Sequence, residues 1–259
     1  MGYAGGPHSA GRKMSAYLER LTWVEAAGWL TPGRVVLLPL GAAAKEHGPH
    51  LPLDNDRTMA EYFARRVAES AEVIVAPTVA YHYYPAFVAY PGSTSLRLET
   101  ARDLIVDIVA SIAAHGSRRF YVLNTGVSTV RALAPAAAEL ARRGLLLRYT
   151  DVLAAGKAVR EAVEEQQGGT HADEIETSMM LHIAPRSVDM SKAAKDFHAG
   201  EGNLTPREGG EGVYSPTGIY GDATLATAEK GKRVVEAMLA DILADIAALQ
   251  AAPLPERPE

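Results

Sequence analysis

Short apolar runs alternate with amphipathic segments along most of the chain. Four runs are apolar enough to be strands covered on both faces, at residues 34–40, 72–79, 118–124 and 145–152. Helical periodicity marks the other segments, at residues 14–30, 57–70, 98–116, 128–144, 152–169, 173–184 and 226–250. This succession predicts an α/β fold, a three-layer αβα sandwich around a mostly parallel central sheet.

The same pattern predicts how the chain is divided. No linker-like composition interrupts it, so we expect a single domain over residues 14–250. Residues 1–13 are expected to form a flexible leader and residues 251–259 a loose tail. Residues 186–220 show neither helical nor strand periodicity and are predicted to be irregular.

Composition restricts the chemistry that the chain can use. A net charge of −5 gives no electrostatic reason to expect nucleic acid as a partner. Because there are no cysteines, any metal must be held by His, Asp or Glu. No apolar run approaches the ~20 residues that cross a bilayer. We therefore expect a cytoplasmic protein that binds a small molecule, with neither nucleic acid nor membrane as a partner.

Polar clusters follow three of the predicted strands, where ligands of parallel α/β sheets bind. The first cluster, residues 41–56, contains Glu46, His47 and Asp56. Two plain interpretations stay open: Asp56 as the N-cap of the following helix, and His50 as a packing histidine.

A second cluster lies at the start of a helix predicted to begin near residue 171. Thr170 and Asp173 resemble a capping box there. His171, Glu174 and Glu176 are its candidate functional residues, with solvated carboxylates as the plain alternative. Combined with the first cluster, these imidazoles and carboxylates suit Zn²⁺, Mn²⁺ or Fe²⁺.

Other polar residues follow two further strands. His82 and Tyr84 come after the strand at 72–79 and are candidates to line a substrate pocket, with loop packing as the alternative. The hydroxyls of Thr125 and Ser128 follow the strand at 118–124 and are candidates to hold substrate or an anion. Ser178 lacks a nucleophile elbow, and no GxGxxG motif is present, so serine-hydrolase and dinucleotide sites have no support.

Five segments, in this order, resemble motifs of the creatininase family, the creatinine amidohydrolases. They are "GAAAKEHGPHLPLDND", "YPGSTSL", "HGSRRFYVLN", "HADEIETSMML" and "GIYGDATLATAEKGKRVVEAMLADI". The resemblance covers residues 20–248 and implies an αβα fold, a homohexamer and a two-metal site that activates water for C–N bond hydrolysis. It implies that His47 is a metal ligand and that Asp56 bridges the metals. It also implies proton transfer by His171 and a metal-binding carboxylate at Glu176.

The chain departs from the family pattern at two ligand positions. Lys45 stands where the family has a ligand glutamate. A bulge would bring Glu46 into that role; alternatively, the Lys45 ammonium takes the first metal's place. The family's loop histidine corresponds to Gly126, and residues 124–129 offer no good metal ligand. A single ion held by His47, Asp56 and Glu176, with Glu46 as a candidate fourth ligand, remains consistent with the sequence.

We therefore predict a metal-dependent amidohydrolase that holds one or two divalent ions. It would cleave an amide, expected to be cyclic, in a small polar molecule. His171 and Glu174 are the predicted catalytic residues, and Lys45 is a predicted substrate contact. One alternative is a same-fold enzyme that acts on a lactone or cyclic ketone, or that forms or opens a ring in biosynthesis. Another is a non-catalytic ligand-binding scaffold, which a metal-free pocket with Lys45 paired to Asp56 would support.

Overall fold

A computed structural model describes residues 15–256 of the 259-residue chain. The predicted leader, residues 1–13, lies outside the described residues, as do the last three residues of the predicted tail.

A five-stranded sheet forms the centre of the described chain. Its strand order is β1-β3-β2-β4-β5, and every pairing is parallel. The strands are β1 (Ala16–Tyr17), β2 (Val35–Leu40), β3 (Val73–Val75), β4 (Arg119–Asn124) and β5 (Leu146–Tyr149). The predicted α/β sandwich with a mostly parallel sheet is confirmed.

Helices cover both faces of the sheet. They are α1 (Trp23–Trp29), α2 (Asn55–Ser70), α3 (Leu98–Ala113), α4 (Val130–Arg142), α5 (Lys157–Val163), α6 (Glu174–Ile183) and α7 (Ala228–Ala251). Side chains alternate between the faces of a strand, so Val35 and Leu37 pack with α2, α6 and α7, while Val36 and Leu38 pack with α3 and α4. The two cores explain why these strands are apolar throughout.

Local capping changes two of the predicted helices. The predicted helix 14–30 is divided into β1, a short 3₁₀ turn and α1, because Thr22 and Glu25 form a capping box that starts α1 at Trp23. The helix predicted from about residue 171 begins at Glu174, because the Asp173 carboxylate accepts hydrogen bonds from the amides of Ile175 and Glu176.

Within the described chain, the segment predicted to be irregular contains short 3₁₀ helices at Pro185–Ser187 and Met190–Lys192, followed by short strands. β6 (Lys195–Asp196) pairs with β9 (Gly221–Asp222), and β7 (Leu204–Thr205) pairs with β8 (Val213–Tyr214). Between α7 and residue 256, the carbonyls of Ala252 and Pro255 accept hydrogen bonds from Arg119 and Arg118 at 2.8 and 2.6 Å. Among residues 15–256, no helix combines the length and apolar character needed to cross a bilayer.

Helices α6 and α7 approach so closely that only glycine fits at one position. A Cβ on Gly231 would lie 1.8 Å from the Ser178 carbonyl oxygen. A hydrogen bond also stabilises this contact, since Ser178 Oγ accepts from the Thr227 amide at 3.0 Å. Because α6 carries Glu176, this contact also sets the position of that side chain.

We predict that Gly231→Ala lowers the free energy of unfolding by about 1–3 kcal/mol, since α7 must move away from α6. Urea denaturation monitored by circular dichroism measures the change. Gly28→Ala in α1 is the matched control, because no atom lies within 4 Å of a Cβ there. It should leave stability unchanged or raise it by up to about 1 kcal/mol. Equal effects of the two substitutions would contradict the steric explanation.

Candidate metal centre

A cavity of about 620 Å³ opens beyond the carboxyl ends of β2 and β4. This volume is typical of small-molecule sites. Six of the candidate functional residues line it: Lys45, Tyr84, Thr125, Ser128, His171 and Glu176. Ligands of this fold class are expected at such a sheet edge.

The loop after β2 folds back onto the start of α2. A Cβ on Gly41 would lie 2.3 Å from the Asp56 carbonyl oxygen, so the close approach depends on this glycine. The Thr125 hydroxyl lies 3.1 Å from the carbonyl oxygens of both Leu40 and Asp56. Asp56 itself lies in the first turn of α2 and is not the N-cap, because the helix begins at Asn55. These contacts bring the predicted first cluster together.

His47 is fully buried and lies between two acceptors. Its Nδ1 lies 2.8 Å from the Lys45 carbonyl oxygen, which can only accept, so we place the ring proton on Nδ1. Nε2 then points at carboxylates, 2.9 Å from Asp56 Oδ1 and 3.5 Å from Glu176 Oε1. An imidazole anchored through one nitrogen and aimed with the other is the usual arrangement of a metal-ligating histidine.

His171 precedes α6 and is held by its own backbone. It forms an isolated antiparallel bridge with Tyr220, whose amide donates to the His171 carbonyl at 2.9 Å. His171 Nε2 lies 3.1 Å from Glu46 Oε2, and Nδ1 lies 3.6 Å from Glu176 Oε2. The ring of Phe87 covers the imidazole at a centroid distance of 4.0 Å. The second imidazole is therefore also fixed on one side and directed at Glu176 on the other.

Glu176 connects the two imidazoles. Its Oε2 accepts a hydrogen bond from the Ala172 amide at 2.6 Å, and its Oε1 accepts one from Asn55 Nδ2 at 3.3 Å. His47, His171 and Glu176 each offer one ligand atom, and these atoms all lie within 4.8 Å of one another. His47 lies within reach of Asp56 and of Glu176, whereas the group of ligand atoms gathered here contains His171 and not Asp56.

Lys45 also faces this cluster. Its ammonium lies 2.7 Å from Asp56 Oδ2, and both side chains are buried. Burial alone lowers the pKa of Lys45, but the carboxylates of Asp56 and Glu176 raise it above its ordinary value. Burial likewise opposes ionisation of Asp56, yet the Lys45 ammonium holds the pKa of that carboxyl well below its usual range. The pair is therefore a buried ammonium and carboxylate.

Glu46 lies on the opposite side of the cluster. Its Oε1 accepts a hydrogen bond from the Gly48 amide, and its Oε2 contacts His171. Gly218 makes room for it, since a Cβ there would lie 2.1 Å from Oε1. The carboxylate therefore orients His171, and Glu46 is not among the three residues whose ligand atoms lie within 4.8 Å of one another.

Glu174 is not brought to the cluster, although it was a predicted catalytic residue. Its Oε1 accepts from the Lys230 ammonium at 2.6 Å, and its Oε2 accepts from the amides of Glu165 and Gln166 at 2.9 and 2.7 Å. The carboxylate is fully buried in this network. Its contacts join α6 to α7 and to the preceding loop, which is a structural role.

Two further histidines lie away from the cavity lining. His82 Nε2 lies 3.1 Å from the Ala101 carbonyl oxygen, and burial lowers the pKa of His82 to about 4. The structure thus places His82 in loop packing and not in the predicted substrate pocket. His50 bonds Thr177 Oγ1 at 2.8 Å, and burial is the main reason that its pKa falls to about 4. This position agrees with the packing interpretation of His50.

Tyr84 lines the cavity, and its buried hydroxyl has no hydrogen-bond partner among the described residues. The two other predicted substrate contacts line the cavity but use their hydroxyl protons elsewhere. Ser128 Oγ donates to the Tyr83 carbonyl at 2.8 Å, and Thr125 donates to backbone carbonyls. Sequence reasoning missed Asn55, which holds Glu176, and Phe87, which covers His171. The only local signal for Asn55 was its position beside Asp56, and no pattern marked Phe87.

Comparisons with known proteins agree with this geometry. The creatininase family model, described as creatinine amidohydrolase, matches residues 19–246. A mycofactocin precursor peptide peptidase from Mycobacterium ulcerans is 32% identical over 82% of this chain and 84% of that protein. A creatinine amidohydrolase from Pseudomonas putida is 29% identical over 69% of this chain and 75% of that protein.

Solved structures show the same relationship. A mutant creatininase described as the Zn-Zn type has a TM-score of 0.76 and 25% identity, covering 92% of this chain and 99% of that one. The family match spans most of the chain, and the fold agrees with it. The chain therefore belongs to the creatininase family and is a creatininase-type amidohydrolase.

Proposed function

We propose that this amidohydrolase depends on a divalent metal ion held beside His47 and Glu176. The observation that carries the proposal is the arrangement of the two imidazoles. His47 and His171 are each fixed through one ring nitrogen, and each directs the other nitrogen at the Glu176 carboxylate. Such a convergence of nitrogen and oxygen atoms suits Zn²⁺, Mn²⁺ or Fe²⁺.

The charges of the cluster also fit a cation. Three carboxylates, those of Glu46, Asp56 and Glu176, face a single ammonium, that of Lys45. With neutral imidazoles, two negative charges remain uncompensated in a largely buried site. Because unpaired buried charge is costly, a divalent cation is the natural complement of this donor set.

His47, Asp56 and Glu176 are the proposed ligands, and His171 is the proposed proton carrier. The two histidines differ in the group that contacts the ring nitrogen facing away from Glu176, which is Nδ1 in His47 and Nε2 in His171. A neutral carbonyl holds His47, whereas the Glu46 carboxylate holds His171. The Glu46 carboxylate fixes the orientation of the His171 ring, so that Nδ1 faces Glu176 and can exchange a proton there.

Hydrolysis then follows from these positions. A bound divalent ion supplies Lewis acidity and can lower the pKa of its water toward ~7. Water attacks the amide carbonyl carbon while His171 Nδ1 takes its proton and Glu46 stabilises the charged ring. His171 returns the proton to the leaving nitrogen as the C–N bond breaks, which yields a carboxylic acid and an amine, and transfer of the acid's proton to the amine gives a carboxylate and an ammonium.

The substrate class is an amide in a small polar molecule, either cyclic or part of a short peptide. The cyclic form was the expectation from the sequence. The cavity volume of about 620 Å³ and the similarity to the M. ulcerans protein, a mycofactocin precursor peptide peptidase, support the peptide form. Lactone, cyclic-ketone and ring-forming chemistry remain alternatives from the sequence, and no contact in the cavity favours them. We further propose that the enzyme is cytoplasmic and homohexameric, as composition and the family resemblance led us to expect.

The non-catalytic alternative predicted a Lys45–Asp56 pair, and that pair is present at 2.7 Å. The pair uses Oδ2 of Asp56 and leaves Oδ1 facing His47. Two imidazoles and Glu176 are thus still gathered beside the cavity, an arrangement that a scaffold would not require. We therefore favour a catalytic site.

Natively purified protein should contain a divalent ion, and Glu176→Gln should lose most of it, because a proposed ligand carboxylate is removed. Glu174→Gln is the matched control two residues away on the same helix, and it should keep the ion. It should instead lower stability by about 1–3 kcal/mol, because Lys230 loses the buried one of its two carboxylate partners. Metal analysis by plasma mass spectrometry and urea denaturation separate the two. Metal-free wild-type protein with activity resistant to chelators would contradict the proposal.

Replacing His171 by Ala should lower turnover ~10²- to 10⁴-fold while the bound ion remains, because proton transfer is lost. Turnover is measured with a panel of cyclic amides and dipeptides, alongside the metal content of each preparation. His182→Ala, at the end of α6 and packed on Tyr62, is the control and should keep turnover. Loss of the ion together with activity in His171→Ala would instead make His171 a ligand.

A further inference from the structure

The buried pair of Lys45 and Asp56 lies where the family resemblance calls for metal. Asp56 corresponds to the aspartate that bridges two ions, and Lys45 corresponds to a ligand glutamate. In this chain the ammonium contacts Asp56 Oδ2 at 2.7 Å, and that oxygen has no other hydrogen-bond partner among the described residues. One oxygen of the Asp56 carboxylate is therefore occupied by a cation that the chain itself supplies.

We propose that Lys45 permanently replaces one of the two metal ions, so that each chain binds a single divalent ion. This inference rests on the proposed function, because it concerns the same site. Charge supports it: the ammonium already compensates one of the three carboxylates, and one divalent ion compensates the other two. A second divalent ion would leave an excess of positive charge in a buried cluster, which is costly.

The loop after β4 supports the same conclusion. A Cβ on Gly126 would lie 2.9 Å from Thr129 Cγ2 and 3.2 Å from Tyr84 Cε1. The space next to the position of the family's loop histidine is thus filled by Tyr84 and Thr129. The side chains of Asn124 and Thr129 bond each other and the Gly126 backbone, so they offer no free ligand. The loop is therefore packed in a way that fills the space next to Gly126 and offers no ligand there.

Aromatic side chains hold the ammonium in place. The Lys45 Nζ lies 4.9 Å from the ring centroid of Phe87 and 5.7 Å from that of Tyr84. Ring faces attract cations but cannot coordinate a divalent metal in water's place. An ammonium carries three N–H donors, so the contact with Asp56 leaves donors for other acceptors, including a substrate carbonyl oxygen in the cavity that Lys45 lines.

Titration of chelator-treated wild-type protein with ZnCl₂, followed by calorimetry, should show about one site per chain, as the charge balance requires. Lys45→Glu restores the family's carboxylate and should raise this number to about two. Lys232→Glu, an exposed position on α7, makes the same charge change away from the site and should leave it at one. With MnCl₂, electron paramagnetic resonance should show isolated ions in wild-type protein and interacting pairs in Lys45→Glu.

Lys45→Met provides a second variant in case Lys45→Glu does not fold. Removing the ammonium should lower the Kd for Zn²⁺ about 10-fold or more, because a neighbouring positive charge is lost. Two ions in wild-type protein would overturn the inference while leaving metal dependence intact. An unchanged or higher Kd in Lys45→Met, or one site in a folded Lys45→Glu, would overturn it as well. No ion in wild-type protein would instead refute the proposed function.

Discussion

The buried carboxylate of Asp56 is the contact on which the site depends. It is fully buried in the first turn of α2, and it contacts an imidazole with one oxygen and an ammonium with the other. A carboxylate can remain ionised in such a place only when charges or donors surround it. The loop after β2 supplies both partners, and the close packing of Gly41 on the Asp56 backbone brings that loop into range. The packing of the loop after β2 on α2 therefore positions the charged groups around Asp56.

Sequence reasoning succeeded where a strong local rule applied. The strands were apolar throughout because each face packs on helices, and the clusters at their ends followed from the geometry of parallel sheets. It was weaker where the position of a side chain depends on a partner that is distant in the sequence. Glu174 and Glu176 both lie in the first turn of α6, and the sequence alone could not separate them. Lys230, which follows Glu174 by 56 residues, binds the Glu174 carboxylate, whereas Glu176 lines the cavity.

The choice between Lys45 and Glu46 shows the same limit. Neighbouring residues in an extended loop point in opposite directions, so the sequence offered two alternatives for one ligand position. The structure uses both residues, because the cluster lies between them. Lys45 reaches Asp56 on one side, and Glu46 reaches His171 on the other. Such an outcome depends on the bridge between His171 and Tyr220, which no local pattern encodes.

The charge balance of the cluster also has a consequence for stability. Two uncompensated negative charges in a buried site disfavour the folded chain, and a cation that binds only the folded chain offsets this cost. A ligand present at 100 times its Kd contributes about 2.7 kcal/mol in this way. A lysine attached to the chain gives part of the same compensation at every metal concentration, because it cannot dissociate. Substituting an ammonium for one ion therefore makes the folded site less dependent on metal supply, while His47 and Glu176 remain available to the ion that the chemistry needs.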